Sequence, residues 1–145
     1  MLRRRDALHY AACAWTLLFA APHLWWALGI PAGFPGGEGS YARFMASAWR
    51  YWYDVAVVGL SVLAFLLVLR LRRAPSHAGP AFRATRLAVW LGGGALTLRG
   101  LAGLVVDGRA DPVWWPTFLL GGLLLCGVAW SAGTAARERP AARTT

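Results

Sequence analysis

The sequence predicts an all-α fold, a four-helix transmembrane bundle with both termini in the cytoplasm, and three observations support this prediction. The chain has 145 residues, of which 58% are hydrophobic, and its mean hydropathy is +0.47. Only 14% of the residues are charged, about half the share of an ordinary soluble domain. Four apolar runs, each of about twenty residues as a membrane-crossing helix requires, are separated by short segments rich in Pro, Gly or Arg.

These runs define one integral membrane domain over residues 1–145. We place the four spans at about residues 7–29, 46–71, 85–106 and 113–133. The first span follows a basic head, but it is longer than the apolar core of a signal peptide and lacks a small-x-small cleavage site, so we interpret it as retained. Residues 30–40 are dense in Pro and Gly and are predicted to be a loop, either a lid or a plain connection.

Polar and small residues form one helical stripe along the first span, spaced by threes and fours. The stripe consists of His9, Cys13, Thr16, Ala20, His23 and Ala27. It predicts a face that packs against other helices, whereas Trp15 and Phe19 fall on the side predicted to face lipid. His23 has two interpretations, a hydrogen-bonded packing residue or a functional group, and the sequence leaves both open.

The third span carries Arg99 well inside its apolar run. A guanidinium at that depth costs a few kcal/mol, so we expect it to face a partner or a water-filled cavity. Its helical stripe also contains Gly92, Ala95, Gly103 and Asp107. Because small residues let a neighbouring helix come close, this stripe is expected to face the interior of the bundle.

The distribution of arginines predicts the topology. The Lys+Arg total is made up of arginine alone; eleven arginines flank the predicted inner side, and only Arg43, Arg50 and Arg109 flank the outer side. The positive-inside rule therefore places both termini in the cytoplasm. Abundant Ala, Gly and Arg without Lys indicate a GC-rich bacterial genome, so we expect a multi-pass protein of the bacterial cell (inner) membrane. The net charge of +9 belongs to these flanks, and nucleic acid is not an expected partner.

Three polar residues are predicted to meet at one depth. Counted along each span at a rise of about 1.5 Å per residue, His23, Asp54 and Arg99 lie in the outer half of the membrane, within about two turns of each other. We take these three as candidate catalytic residues. The candidate ligand-binding residues near the same level are Trp26, Trp52, Asp107 and Trp115.

This predicted cluster has two interpretations, which the sequence leaves open. In the first, Arg99 forms a buried ion pair with Asp54 or Asp107 that fixes which helices adjoin. In the second, the cluster is a pocket in which Arg99 holds the anionic head of an amphiphile, while His23 and Asp54 share a proton.

Three functional hypotheses follow. The first is a non-enzymatic integral membrane protein that binds a lipid-like or other small amphiphilic ligand, or a membrane partner, within the lipid bilayer. The second is a small membrane enzyme in which His23 and Asp54 carry out acid–base chemistry and Arg99 holds an anion. The third is a proton-coupled small transporter, which would work as a homo-oligomer. No cofactor and no metal are expected, since Cys13 and Cys126 lie in separate apolar runs and form no C-x-x-C motif.

Two short blocks of residues resemble a known family. The run from His23 to Gly29 resembles its H-x-x-W-A-x-G signature, and Arg99, followed by Asp107 and Trp115, resembles its second block. The family is the small bacterial four-helix membrane proteins filed as domain of unknown function 3995. The resemblance covers nearly the whole chain and implies four spans and no established activity. The residues that it assigns to the family pattern are His23, Trp26, Gly29, Arg99 and Asp107.

Overall fold

The structure of the protein, a computed structural model, describes residues 4–73, 79–106 and 113–138. These residues form five α-helices, so the predicted all-α class is confirmed. The helices are α1 (Arg4–Ala27), α2 (Gly37–Met45), α3 (Ala48–Arg73), α4 (Pro80–Val106) and α5 (Trp114–Glu138).

Three helices in the described part of the chain are long and apolar enough to cross a membrane. They are α3, α4 and the Trp114–Thr134 part of α5. These candidate spans coincide with three of the four predicted spans. The remaining one, α1, forms a helix of 24 residues as predicted but is not in this apolar class, because polar residues and Pro22 interrupt its apolar run. A membrane crossing by α1 stays a prediction.

The loop prediction for residues 30–40 is wrong at its C-terminal end, because Gly37 begins the short helix α2. Gly36 precedes it in the left-handed conformation, with φ of 82°, which a residue without Cβ adopts at no steric cost. The rings of Tyr41 and Phe44 in α2 pack on Phe34 at centroid distances of 5.4 and 5.2 Å. Packing of these rings compensates for the low helix propensity of the surrounding glycines.

The chain folds into two compact units. The first unit contains α1 up to Cys13 and the chain from Leu66 onward, which includes α4 and α5; the second unit is Ala14–Phe65. In the first unit, the guanidinium of Arg72 lies 3.5 Å from the carboxylate of Asp6 and 4.3 Å from the ring centroid of Tyr10, which joins the C-terminal end of α3 to the N-terminal end of α1.

Close packing of α4 against α5 dominates the first unit and depends on glycines. A Cβ at Gly100 would lie 2.7 Å from the backbone N of Leu119 and 2.9 Å from the carbonyl O of Trp115. A Cβ at Gly93 would lie 3.0 Å from the carbonyl O of Gly122. The two backbones therefore approach more closely than any larger residue at these positions would allow.

The packed face of α4 differs from the predicted one. Its buried residues are Thr85, Val89, Gly93, Gly100 and Gly103. Of the described residues of the predicted stripe, only Gly103 is buried, whereas Gly92, Ala95 and Arg99 are exposed. Arg99 is therefore not among the buried residues of this face, although its guanidinium contacts α5 at Trp115. The glycine pattern alone was ambiguous because glycines at three consecutive positions, 92–94, provide small residues on three different faces.

Candidate functional site

A buried hydrogen bond joins α1 to α3 in the second unit. His23 lies in the last turns of α1 and Asp54 in the second turn of α3, and their side chains are 6% and 1% exposed. His23 Nδ1 donates to Asp54 Oδ1 over 2.7 Å, a length typical of a strong hydrogen bond to a carboxylate. The structure thus brings together two of the three candidate catalytic residues.

The second carboxylate oxygen of this pair is not satisfied. Asp54 Oδ2 is buried and receives no hydrogen bond from any residue that the structure describes. An ionised carboxylate can accept about four hydrogen bonds, so the bond from His23 leaves most of this capacity unused. Leaving a buried polar atom in this state costs about 1–3 kcal/mol, and more for a charged group.

Aromatic rings enclose the His23 imidazole. Its centroid lies 5.3 Å from that of Phe19, 5.2 Å from that of Trp26 and 6.1 Å from that of Tyr53. Phe19 and Trp26 are themselves buried, and Trp15 stacks on Phe19 at 4.9 Å. Phe34 in turn packs on Trp26 at 5.0 Å. We call His23 and these five aromatic side chains the aromatic cluster: Trp15, Phe19, Trp26, Phe34 and Tyr53. The low exposure of the His23–Asp54 pair among these rings strengthens electrostatic interactions between the two side chains.

The segment after α1 covers one side of the aromatic cluster. We call residues 30–45 the cap segment, which comprises the turn after α1 and helix α2. Trp26 Nε1 donates to the carbonyl O of Ala32 over 3.3 Å, and the Tyr41 hydroxyl donates to the carbonyl O of Trp26 over 2.9 Å. These two bonds attach both halves of the cap segment to the last turn of α1.

We expect Tyr41→Phe to lower the free energy of unfolding by about 1 kcal/mol, the usual net contribution of one hydrogen bond. The ring contact with Phe34 would be kept, so the loss isolates the bond from the hydroxyl to Trp26. Thermal unfolding in detergent measures it. Tyr51→Phe is the matched control, because Tyr51 is exposed and makes a ring contact with Trp52. Equal losses for the two variants would contradict the assignment.

Three further predicted site residues, Trp52, Arg99 and Trp115, make contacts with residues outside the aromatic cluster or within their own unit. Trp52 is 64% exposed and contacts Tyr51, so in the described part of the chain it does not join the aromatic cluster. Arg99 and Trp115 belong to the first unit, where the guanidinium carbon of Arg99 lies 4.5 Å from the Trp115 ring centroid. Asp107 lies outside the described residues. The pairing of Arg99 with either aspartate stays a prediction.

The sequence-based prediction missed several members of the site. Trp15 and Phe19 were expected to face lipid, but they are 9% and 7% exposed and pack in line with His23. Their spacing of four residues was the available signal, since residues four apart share a helix face. Phe34 and Tyr41 lay in or beside the segment predicted to be a loop, and only the tertiary contacts identify them.

Metal-ligating side chains do not gather in the described part of the chain. Within residues 4–73, 79–106 and 113–138, no group of three or more His, Cys, Asp and Glu could hold a metal ion.

No protein-family model, no curated protein and no solved structure matches the chain. Fold and site together define a helical protein with three candidate membrane spans and a buried histidine–aspartate pair inside an aromatic cluster.

Proposed function

We propose that the protein is an integral membrane protein that binds a small amphiphilic ligand at the His23–Asp54 pair, through a headgroup that donates hydrogen bonds. One observation carries the proposal: Asp54 Oδ2 is buried inside the second unit, and no donor from the described residues reaches it. In the same proposal α1 is the fourth span, both termini are cytoplasmic, and the membrane is a bacterial cell membrane.

The chemistry of the site supports this class of ligand. A hydroxyl or ammonium group placed at Asp54 Oδ2 would supply the missing hydrogen bond and, if cationic, would also balance the carboxylate charge. Aromatic rings attract cations through their faces and bind alkyl chains by burial, so the surroundings of His23 suit both parts of an amphiphile. An anionic headgroup would be repelled from the same position.

The cap segment supplies a route of entry in this proposal. Asp54 is 1% exposed, so a ligand reaches it only when part of its cover moves. Gly29, just before the cap segment, and Gly37, within it, have positive φ of 89° and 75°, and the backbone turns at both without a Cβ. Besides the ring contact of Phe34 with Trp26, two side-chain hydrogen bonds attach the cap segment to α1, and each is weak enough to break and re-form.

An acid–base enzyme is the second candidate, and the geometry of His23 favours it specifically. A carboxylate that accepts from Nδ1 fixes the tautomer and orientation of an imidazole, as in catalytic histidine–aspartate pairs. An enzyme predicts that His23→Ala abolishes turnover while helicity is retained. A binding protein predicts saturable ligand association without turnover.

The resemblance to the domain of unknown function 3995 family forms part of the proposal. Two of the residues that it assigns to the family pattern, His23 and Trp26, belong to the aromatic cluster. A third, Gly29, has φ of 89°, a conformation that favours glycine. These three positions support one explanation of the family pattern: its residues form the buried His23–Asp54 pair and cover it.

Binding of alkylamines tests the proposed function. We expect bromine-labelled dodecylamine to quench the tryptophan fluorescence of the protein in detergent saturably, and bromine-labelled dodecanoic acid to quench it without saturation. Asp54→Asn should weaken the amine affinity about tenfold or more, because a hydrogen bond to a charged group contributes about 1.5–3 kcal/mol. Glu38→Gln, which removes an exposed carboxylate from α2, is the matched control. Equal amine affinities for the wild-type protein and Asp54→Asn would refute the proposal.

A further inference from the structure

Arg99 is an exposed charge on an apolar surface of the first unit. It lies in α4, a candidate membrane span, and its exposed neighbours are apolar: Leu98 is 68% exposed, Leu101 46% and Val105 83%. Such a surface faces lipid in a membrane protein. A guanidinium there is costly unless it has a counter-charge or reaches the headgroup layer.

Two aromatic rings of α5 hold the Arg99 guanidinium. Its central carbon lies 4.5 Å from the Trp115 ring centroid and 5.9 Å from that of Phe118. Trp115 can take this place because Gly103 leaves no Cβ in contact with its ring and Gly100 lets α5 approach α4. The cation–π contact positions the guanidinium, but it uses none of the N–H donors around the guanidinium edge.

Two groups at this point of the first unit, Arg99 and Trp115, carry hydrogen-bond donors without acceptors in the described part of that unit. Within the described part of the first unit, no acceptor receives a hydrogen bond from Arg99, and no carboxylate lies within salt-bridge distance of it. The indole Nε1–H of Trp115, a residue that is only 8% exposed, also lacks an acceptor among the described residues. A positive charge with unused donors is complementary to an anion, and a guanidinium matches a phosphate with two parallel bonds.

The position along the helices identifies the source of that anion. The Arg99 guanidinium lies over Trp115, the second residue of α5, so it is level with the first turn of a candidate span. Tryptophans at the ends of spans mark the membrane–water interface, where lipid phosphates lie. From these observations we propose that Arg99, supported by Trp115, is a binding site for the phosphate group of an anionic lipid.

Lipid selectivity of the full-length protein tests this proposal. We would measure binding of phosphatidylglycerol and phosphatidylcholine to the protein in detergent micelles by native mass spectrometry, with inorganic phosphate as a competitor. The wild-type protein should prefer phosphatidylglycerol, and Arg99→Gln should reduce that preference about five- to tenfold. Arg99→Lys keeps the charge but not the planar donor pair, and it should retain an intermediate preference.

Arg83→Gln is the matched control, because Arg83 is an exposed arginine in the first turn of the same helix. Equal effects of Arg83→Gln and Arg99→Gln would mean that general surface charge attracts the lipid, and would overturn the proposal. Displacement of the lipid by millimolar inorganic phosphate would mean that Arg99 binds free phosphate, and would overturn a lipid as the source of the bound phosphate group. If the preference for phosphatidylglycerol appeared only in Asp107→Asn, the Asp107 carboxylate would be the group that binds Arg99 in the wild-type protein. That result would also overturn the proposal.

Discussion

Replacing His23 by leucine is expected to lower the free energy of unfolding by about 3–5 kcal/mol, the cost of leaving a buried carboxylate without its partner. Asp54 is 1% exposed and accepts its hydrogen bond from His23 over 2.7 Å, so water cannot replace the lost donor without disrupting the packing. Denaturant titration in detergent micelles, followed by helicity, measures the loss.

His9→Leu is the control for this substitution. His9 is a second buried histidine of α1, and its Nδ1 donates to the carbonyl O of Arg5 over 2.8 Å, four residues earlier in the same helix. Its replacement removes one bond to a neutral acceptor, and we expect a loss of about 1 kcal/mol. A loss as large for His9→Leu as for His23→Leu would show that the carboxylate is not the cause.

The double variant separates stability from function at the pair. Replacing both His23 and Asp54 by leucine should recover most of the loss, because no orphan charge then remains in the interior. Asp54→Asn keeps an oxygen that can accept from His23 Nδ1 but places an amide group where Oδ2 was. It should therefore cost less stability than His23→Leu while it weakens binding of the alkylamine about tenfold or more. Neutral single substitutions would instead mean that the pair contributes nothing to folding.

The pairing of His23 with Asp54 could be predicted from the sequence because it depends on how deep each residue lies in its predicted span. Counting residues from the ends of two antiparallel apolar runs places both side chains at a similar level, and a polar stripe indicates the face. Hydropathy does not show whether an aromatic residue of a span faces lipid or the protein interior, because lipid tails and a packed interior are equally apolar. Trp15 and Phe19 were therefore assigned to lipid, although both are buried.

The cap segment and the α4 packing face could not be predicted for a different reason. Helix α2 has nine residues, too few for a stable isolated helix, and it forms where Phe34 offers its rings a partner. Glycines 92–94 are compatible with three faces of α4. The choice among them depends on Gly122 and Cys126, which lie opposite Gly93 in a helix that is distant in sequence.

Gly100→Ala is expected to destabilise the protein by about 2–3 kcal/mol, although alanine is the better helix former. The added Cβ would lie 2.7 Å from the backbone N of Leu119, 2.9 Å from the carbonyl O of Trp115 and 3.0 Å from the Cα of Leu119. All three atoms belong to the backbone of α5, so no side-chain rotation relieves the contact and the two helices must move apart. Thermal unfolding in detergent, with helicity as the signal, measures the loss.

Gly92→Ala, in the same helix, is expected to change stability in the opposite direction. A Cβ at Gly92 meets nothing within 4 Å, so alanine there should stabilise the protein by about 0.5–1 kcal/mol through its helix propensity. Gly94 is equally open, whereas Gly93 between them faces the backbone of α5, so the sign should alternate along three adjacent glycines. Destabilisation by Gly92→Ala together with tolerance of Gly100→Ala would place the α4 interface on the stripe of Arg99. Arg99 would then be packed in the interface between α4 and α5, and a lipid phosphate could not reach its guanidinium.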